Sequence, residues 1–225
     1  NISDVGAPTA NMYGMAGKDR SLCAKCRRKS CLFPSPCKNM DRSHQRLLDL
    51  YAQIARIKGI RHAYIGSGIL DDLFLDEKGF GDETSYPYLK ELILEHTSGR
   101  LKVAPEHTED AVLKLMAKPS FKLFERLRIE FDSIVRSSGR KCELVPYFIS
   151  GHPGCGMREM RRLAGTPALK GLYMDQVQDF TPTPMTTCSV MFYTGLDPKN
   201  MQKVFVERDI EKKREQKSFF FRRGK

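Results

Sequence analysis

Four cysteines within fifteen residues, Cys23, Cys26, Cys31 and Cys37, are the residues whose type and spacing point most directly to chemistry. Four thiolates this close together can reach one ion, and a tetrathiolate set suits Zn²⁺ or an iron–sulfur cluster. The spacing is one Cys-x2-Cys knuckle followed by two wider gaps. Lys25, Arg27, Arg28 and Lys29 lie among them and favour the ionised thiols. The bland alternative is a loop of ordinary reduced cysteines. The chain has seven cysteines, an odd count, and opens with no basic-then-apolar leader. In a reducing, cytoplasmic setting, clustered cysteines bind metal or stay free more often than they pair. Of the other three, Cys142 and Cys188 read as small buried residues. Cys155 falls in a loop after an apolar run, where it can face a pocket.

A second set of chemistry-bearing residues is spread along the chain and shares one position, the end of a short apolar run. Asp4 and Thr9 follow Ile2–Val5. Ser67 follows the run 60–65, and Glu106 and His107 follow Leu101–Ala104. Ser150 and His152 follow Leu144–Ile149. Gln176 and Thr181 accompany the run from Tyr173 to Phe180, and a sixth patch, Val190–Tyr193, comes next. Glu106 and His107 are not expected to act on one atom, because neighbours on a strand point to opposite faces; a role in opening the next helix suits one of them.

The elements that must position these residues follow from periodicity. Between the apolar runs lie helical stripes. Leu47, Leu50, Tyr51, Ile54 and Ile57 follow Asp41 as N-cap. Leu89, Leu92, Ile93 and His96 follow Pro87 in a first turn. A third helix is capped by Thr108 and ends at Lys118-Pro119. The stripe Phe121, Phe124, Leu127, Phe131, Val135 is closed by Gly139. Strand-then-helix alternation predicts a parallel α/β architecture, in which ligands gather at the strand C-termini. The alternative for each strand-end residue is that it caps a helix or shapes a turn.

These loop segments resemble the signatures of the YgiQ-like radical S-adenosylmethionine (SAM) family. They are the run from Asp4 through Thr9 to Gly14, Ser30-Cys31-Leu32-Phe33-Pro34, Ile65-Gly66-Ser67-Gly68 and Leu101 to Glu109. Pro146 to Gly154, Asp175 to Met185 and Tyr193-Thr194-Gly195 complete them. The match runs in order to about Pro198. The resemblance implies an α/β fold, a partial (β/α)6 TIM-like barrel, occupying 1–198 without its first strand. A Cys-rich loop at 22–42 and a charged extension at 199–225 complete the expected organisation. It implies an enzyme that uses a 4Fe–4S cluster and SAM to generate a 5′-deoxyadenosyl radical. The cluster ligands would be a Cys-x3-Cys-x2-Cys set upstream, a motif this sequence does not contain. It further implies cofactor-binding roles for Asp4, Gly6, Pro8 and Thr9 near the SAM amino group, and for Ser67. Glu106 would bind the ribose, Ser150 and His152 would line the SAM or substrate pocket, and the backbone near Phe180 would meet the adenine. The strand-like start without Met and the closing phenylalanines carry the expectation of further chain on both sides, including a missing N-terminal segment as partner. The substrate is unknown.

Composition bounds the alternatives. With 225 residues and 40% hydrophobic content, the chain can build one sizeable core. Nothing approaches the roughly 18 unbroken apolar residues of a membrane span. The net charge of +11, concentrated at 25–29 and 212–225, suits a nucleic-acid partner or a solvated surface. Two other readings therefore stand beside the enzyme: a metal-stabilised basic nucleic-acid-binding module, and an inactive barrel fragment.

Overall fold

Apolar runs with strand-forming residues give strands where they are flanked by turns, and amphipathic stripes give the helices between them. A computed structural model describes residues 1–6, 10–174 and 176–221. Pro8 and Thr9, both expected at the cofactor, lie outside the described residues. The elements in chain order are α1 (Arg20–Ala24), α2 (Gln45–Ala55), β1 (Leu75–Asp76), β2 (Gly79–Phe80) and α3 (Ser85–Glu95). Then come β3 (Arg100–Glu106), α4 (Asp110–Met116), α5 (Lys122–Ser138), β4 (Glu143–Ser150), α6 (Met157–Ala164), β5 (Gln176–Asp179), α7 (Thr187–Thr194) and α8 (Ile210–Phe221).

The chain divides into two compact units. The first comprises 1–104 and 122–144, the second 105–121 and 145–225. The larger sheet has three strands in the order β3-β4-β5, with β4 and β5 parallel in the register Phe148↔Val177. This is the expected parallel α/β pattern in reduced form. No closed barrel is present among the described residues.

In the first unit, the run at the start is held as a parallel pairing too short for a named strand. The Ile2 amide donates to the His62 carbonyl at 2.8 Å, and the Tyr64 amide returns to the Ile2 carbonyl at 2.9 Å. A further parallel bridge joins Ile69 to Val103. Leu47, Tyr51, Leu73, Phe74, Tyr88, Leu89, Phe124 and Leu127 are buried and form the core of this unit. The stripes of α2, α3 and α5 were legible because burial of one helix face repeats every three to four residues, except that Ile57, expected on the α2 stripe, lies past the end of that helix and is exposed.

Several expectations need correction. The patch Val190–Tyr193 is not a strand but the middle of α7. The Thr186 hydroxyl accepts from the Ser189 amide at its start, and Gly195, at φ 71°, ends it in the left-handed conformation. A four-residue apolar run carries no periodicity that separates helix from strand, so the caps decide. Asp41 does not cap α2; its carboxylate accepts from the Ser43 amide at 3.1 Å and turns the chain before a helix that starts at Gln45. Nor does Thr108 cap α4, which begins at Asp110 after Glu109. The β1–β2 hairpin was not anticipated, because its strands are two residues each and show no alternation.

Candidate functional site

The richest cluster of polar side chains lies in the second unit, at the C-terminal ends of β4 and β5. Parallel pairing puts Ser150 opposite Asp179. The buried Ser150 hydroxyl lies 2.7 Å from Asp179 Oδ1 and 3.2 Å from the Gln178 carbonyl, and the Phe180 amide donates to the Ser150 carbonyl at 2.7 Å. The chain then turns through Gly151, at φ 65°, which lets the buried His152 fold back beneath the Phe180 ring at 4.9 Å between centroids. Ser150, His152 and Phe180 are therefore brought together.

Two histidines here hold opposite tautomers, and the backbone fixes both. The Glu109 amide donates to His107 Nδ1 at 3.0 Å, so in the neutral ring the proton of His107 sits on Nε2. Nε2 lies 3.4 Å from Cys155 Sγ and donates to it. His152 Nδ1 lies 2.8 Å from the Pro153 carbonyl, which can only accept, so His152 keeps a free lone pair on Nε2. The role of opening α4 thus falls to His107, which receives the first free amide ahead of that helix.

The Cys155–His107 contact looks like a nucleophile with its base, and the tautomer argues otherwise. Cys155 and His107 are fully buried. Burial pushes the Cys155 thiol up to about 12 and brings His107 down to about 4, with the neighbouring His152 also lowering it. A neutral imidazole that donates to sulfur cannot take its proton. Thiolate catalysis needs the opposite polarity, a lowered thiol beside an accepting or charged base. Cys155 is buried as a packed residue and does not line an opening.

Glu106 ends β3 in an unusual backbone conformation, φ 65°, the left-handed region that non-glycine residues avoid. Burial raises its pKa, and Lys118, whose Nζ lies 3.6 Å from Oε1, opposes the shift. Strain at a partly buried acid marks a position held for something other than stability. Glu106→Gly is expected to raise the melting temperature by a few degrees, since it relieves roughly 1 kcal/mol of strain. A thermal melt that falls instead would show that the Lys118 pair outweighs the strain.

Gln216, on α8, was not anticipated and is central. It is fully buried; Oε1 accepts from the Gly151 amide at 2.9 Å, while Nε2 has no hydrogen-bond partner among the described residues. A buried amide donor left unmade costs about 1–3 kcal/mol, so an acceptor is called for there. Asp179 was also missed, and Lys217 reaches it at 3.6 Å. The signal for Gln216 was available: Lys213, Gln216 and Phe220 are spaced for one helix face, with a polar residue where the dock demands an apolar one.

In the first unit, Asp4 Oδ1 accepts from the Gly66 amide at 3.0 Å and the Ser67 hydroxyl at 3.3 Å. Asp4 and Ser67 are thus together, with Gly6 exposed nearby in sequence. Gly68, at φ 94°, sits where an added Cβ would lie 3.2 Å from the Lys102 carbonyl. The four cysteines 23, 26, 31 and 37 are free thiols, the first three exposed. Among the described residues, no three His, Cys, Asp or Glu side chains are grouped to hold a metal ion. Cys142 and Cys188, expected buried, are partly exposed. No helix among the described residues is long and apolar enough to cross a membrane.

Comparison with known proteins adds a family context without an activity. A family model described as a domain of unknown function, DUF3362, matches residues 175–223. A UPF0313 protein of Bacteroides thetaiotaomicron is 45% identical over 222 residues, covering 98% of this chain and 36% of the relative. One from Porphyromonas gingivalis is 44% identical over 226 residues, covering 98% of this chain and 35% of the relative. One from Methanosarcina acetivorans is 40% identical over 223 residues, covering 99% and 29%. The chain therefore spans about a third of the length of the curated relatives it matches.

Proposed function

We propose that this chain is the greater part of the barrel of a radical SAM enzyme, acting on a substrate whose identity is open. The observation that carries the reading is the set of groups at the ends of the parallel strands. Strained Glu106, Ser150 with Asp179, His152 beneath Phe180, and the unpartnered Gln216 amide all fall at strand C-termini or against them. In parallel α/β folds these ends take the ligand.

The residues present fit a nucleoside-bearing cofactor in kind. Glu106 offers a carboxylate to ribose hydroxyls. Phe180 offers backbone polar groups and a ring to a purine. The Gln216 Nε2 donor asks for a carbonyl or ring-nitrogen acceptor, and the His152 Nε2 lone pair for a donor. In the first unit, Asp4 and Ser67 keep the roles that the resemblance gives them. When bound, the cluster would deliver the electron that breaks a carbon–sulfur bond of SAM, chemistry that belongs to the cofactor. The chain's part is to bind, orient and exclude water.

The nucleic-acid alternative has less support. Many cations of α6 and α8 already have partners: Arg162 with Glu109, Arg158 with Glu159, Arg214 with Glu211 and Lys217 with Asp179. A steep loss of RNA or DNA affinity with salt would restore it.

The experiment uses protein expressed from the whole open reading frame, because the relatives are about three times as long as this chain. Anaerobic iron and sulfide analysis is expected to give a 4Fe–4S cluster whose paramagnetic signal changes when SAM is added. Absence of iron, or a signal indifferent to SAM, would overturn the proposal. On the same protein, Glu106→Ala is expected to weaken SAM binding at least tenfold, about 1.4 kcal/mol. Unchanged affinity would remove Glu106 from the site.

A further inference from the structure

We propose that Cys23, Cys26, Cys31 and Cys37 form one structural tetrathiolate zinc site, and that the metal supplies the core that this part of the chain lacks. The starting observation is a deficit. No residue from 12 to 43 is buried, and α1 buries none of its five residues. A helix that short is far below the length at which an isolated helix holds in water. Segments that cannot bury a core are typically stapled by a disulfide or a metal, and the four thiols here are free.

The segment is already closed at its neck. Gly17 and Met40 form an antiparallel bridge, the Lys18 amide donates to the Asn39 carbonyl at 2.7 Å, and the Asp41 amide to the Ala16 carbonyl at 2.8 Å. All four cysteines lie between these arms. The Cys37 amide donates to the Cys31 carbonyl at 2.7 Å, and the Cys26 amide to the Cys23 carbonyl at 3.1 Å, so the backbone ties Cys31 to Cys37 and Cys23 to Cys26.

The donors around the sulfurs suit thiolates. Cys23 Sγ accepts from Asn39 Nδ2 at 3.3 Å, and that amide also donates to the Asp19 carbonyl at 2.8 Å. Cys26 Sγ accepts from the Arg28 amide at 3.4 Å, as in a Cys-x2-Cys knuckle. Such N–H···S bonds orient a metal-bound sulfur and stabilise its charge. Gly17 makes room for the first sulfur: a Cβ there would lie 2.2 Å from Cys23 Sγ. Asn39 ties the Cys23 sulfur to the arm that carries Cys37, two residues away.

Among the described residues no three such ligands are grouped. Metal sites of this kind close on the ion, and the binding free energy becomes folding free energy. Four thiols lose their protons, and Zn²⁺ takes the four sulfurs in a tetrahedron with no open position, a structural site and not a catalytic one. The carbonyls of Ser30, Phe33 and Ser35 are gathered by the Arg28 guanidinium at 3.1, 3.3 and 2.6 Å, which shapes the stretch that carries Cys31 and leads to Cys37.

The test uses reduced protein expressed from the whole open reading frame, with Zn²⁺ and then Co²⁺ as probes. One zinc per chain is expected, and cobalt should give the intense visible bands of a tetrahedral thiolate site. Cys37→Ser is expected to lose the stoichiometric zinc and the cobalt bands, while Cys142→Ser keeps both. Should Cys37→Ser fail to fold, limited proteolysis of the wild type with and without chelator decides: cleavage between 20 and 38 is expected to appear on chelation and to be suppressed by returned zinc. No stoichiometric zinc, zinc retained in Cys37→Ser, or a cleavage pattern that ignores the metal would each overturn the proposal. Iron with sulfide in place of zinc would overturn the zinc assignment in favour of a cluster.

Discussion

Lowering the pH from 7 to 5 is expected to cost the protein about 2 kcal/mol of stability for each of His44, His107 and His152. Burial is the main cause of the shift at all three and brings each from 6.5 to about 4 in the folded protein. The folded state therefore prefers these rings neutral. Their contribution is fully present above 6.5, the value in the unfolded chain, and is lost as the pH falls from there through 4. At His44, stacked on Tyr88 at 4.1 Å between centroids, nearby Asp82 and the Arg42 backbone work against the shift, while the Arg42 charge adds to it. At His107 the His152 ring adds to the penalty, so each charge makes the other harder to place. Urea titrations at pH 7 and pH 5 read the effect directly. His44→Phe keeps a ring against Tyr88 and should shrink the pH difference by its share. Equal stability at the two pH values would show that these rings reach solvent in the native state.

Phe148→Ala is expected to destabilise the protein by about 3–5 kcal/mol, a large part of the 5–15 kcal/mol available to a typical domain. Phe148 is 1% exposed in the middle of β4, and its ring stacks on that of Phe220 with centroids 6.2 Å apart. That contact docks α8 on the sheet, and α8 in turn delivers Gln216 to Gly151 and Lys217 to Asp179. Tyr193→Ala, at a ring 71% exposed, should change stability by no more than about 0.5 kcal/mol and serves as the control. A drop below about 1 kcal/mol for Phe148→Ala in chemical denaturation would mean that α8 is not anchored there.

The polar cluster shows where sequence reasoning reaches and where it stops. Ser150, His152, Glu106 and Phe180 were legible because each follows an apolar run and precedes a turn, a purely local pattern. Cys155 was visible as a loop residue, but its burial against His107, 48 residues away, was not. Gln216 meets Gly151 across 65 residues. Contacts of that separation leave no period in the sequence, so neither the inert polarity of the Cys–His pair nor the unpartnered amide could be read from it.

The same division runs through the fold. By itself the sequence determined that β3, β4 and β5 alternate with helices, most of the buried faces of α2, α3 and α5, and the residues that follow those three strands. It did so because burial of one face imposes a period of two or 3.6 that survives in any window of a dozen residues. It also carried the spacing of the cysteine quartet, which is a local pattern. Tertiary structure decided that Val190–Tyr193 is helical, because Thr186 and Gly195 cap it. It decided which histidine nitrogen carries the proton, because backbone donors and acceptors from neighbouring turns meet the rings. It also decided that α8 closes against β4 and β5, because only packing brings Phe220 onto Phe148 and so places a buried, unsatisfied donor at the strand ends.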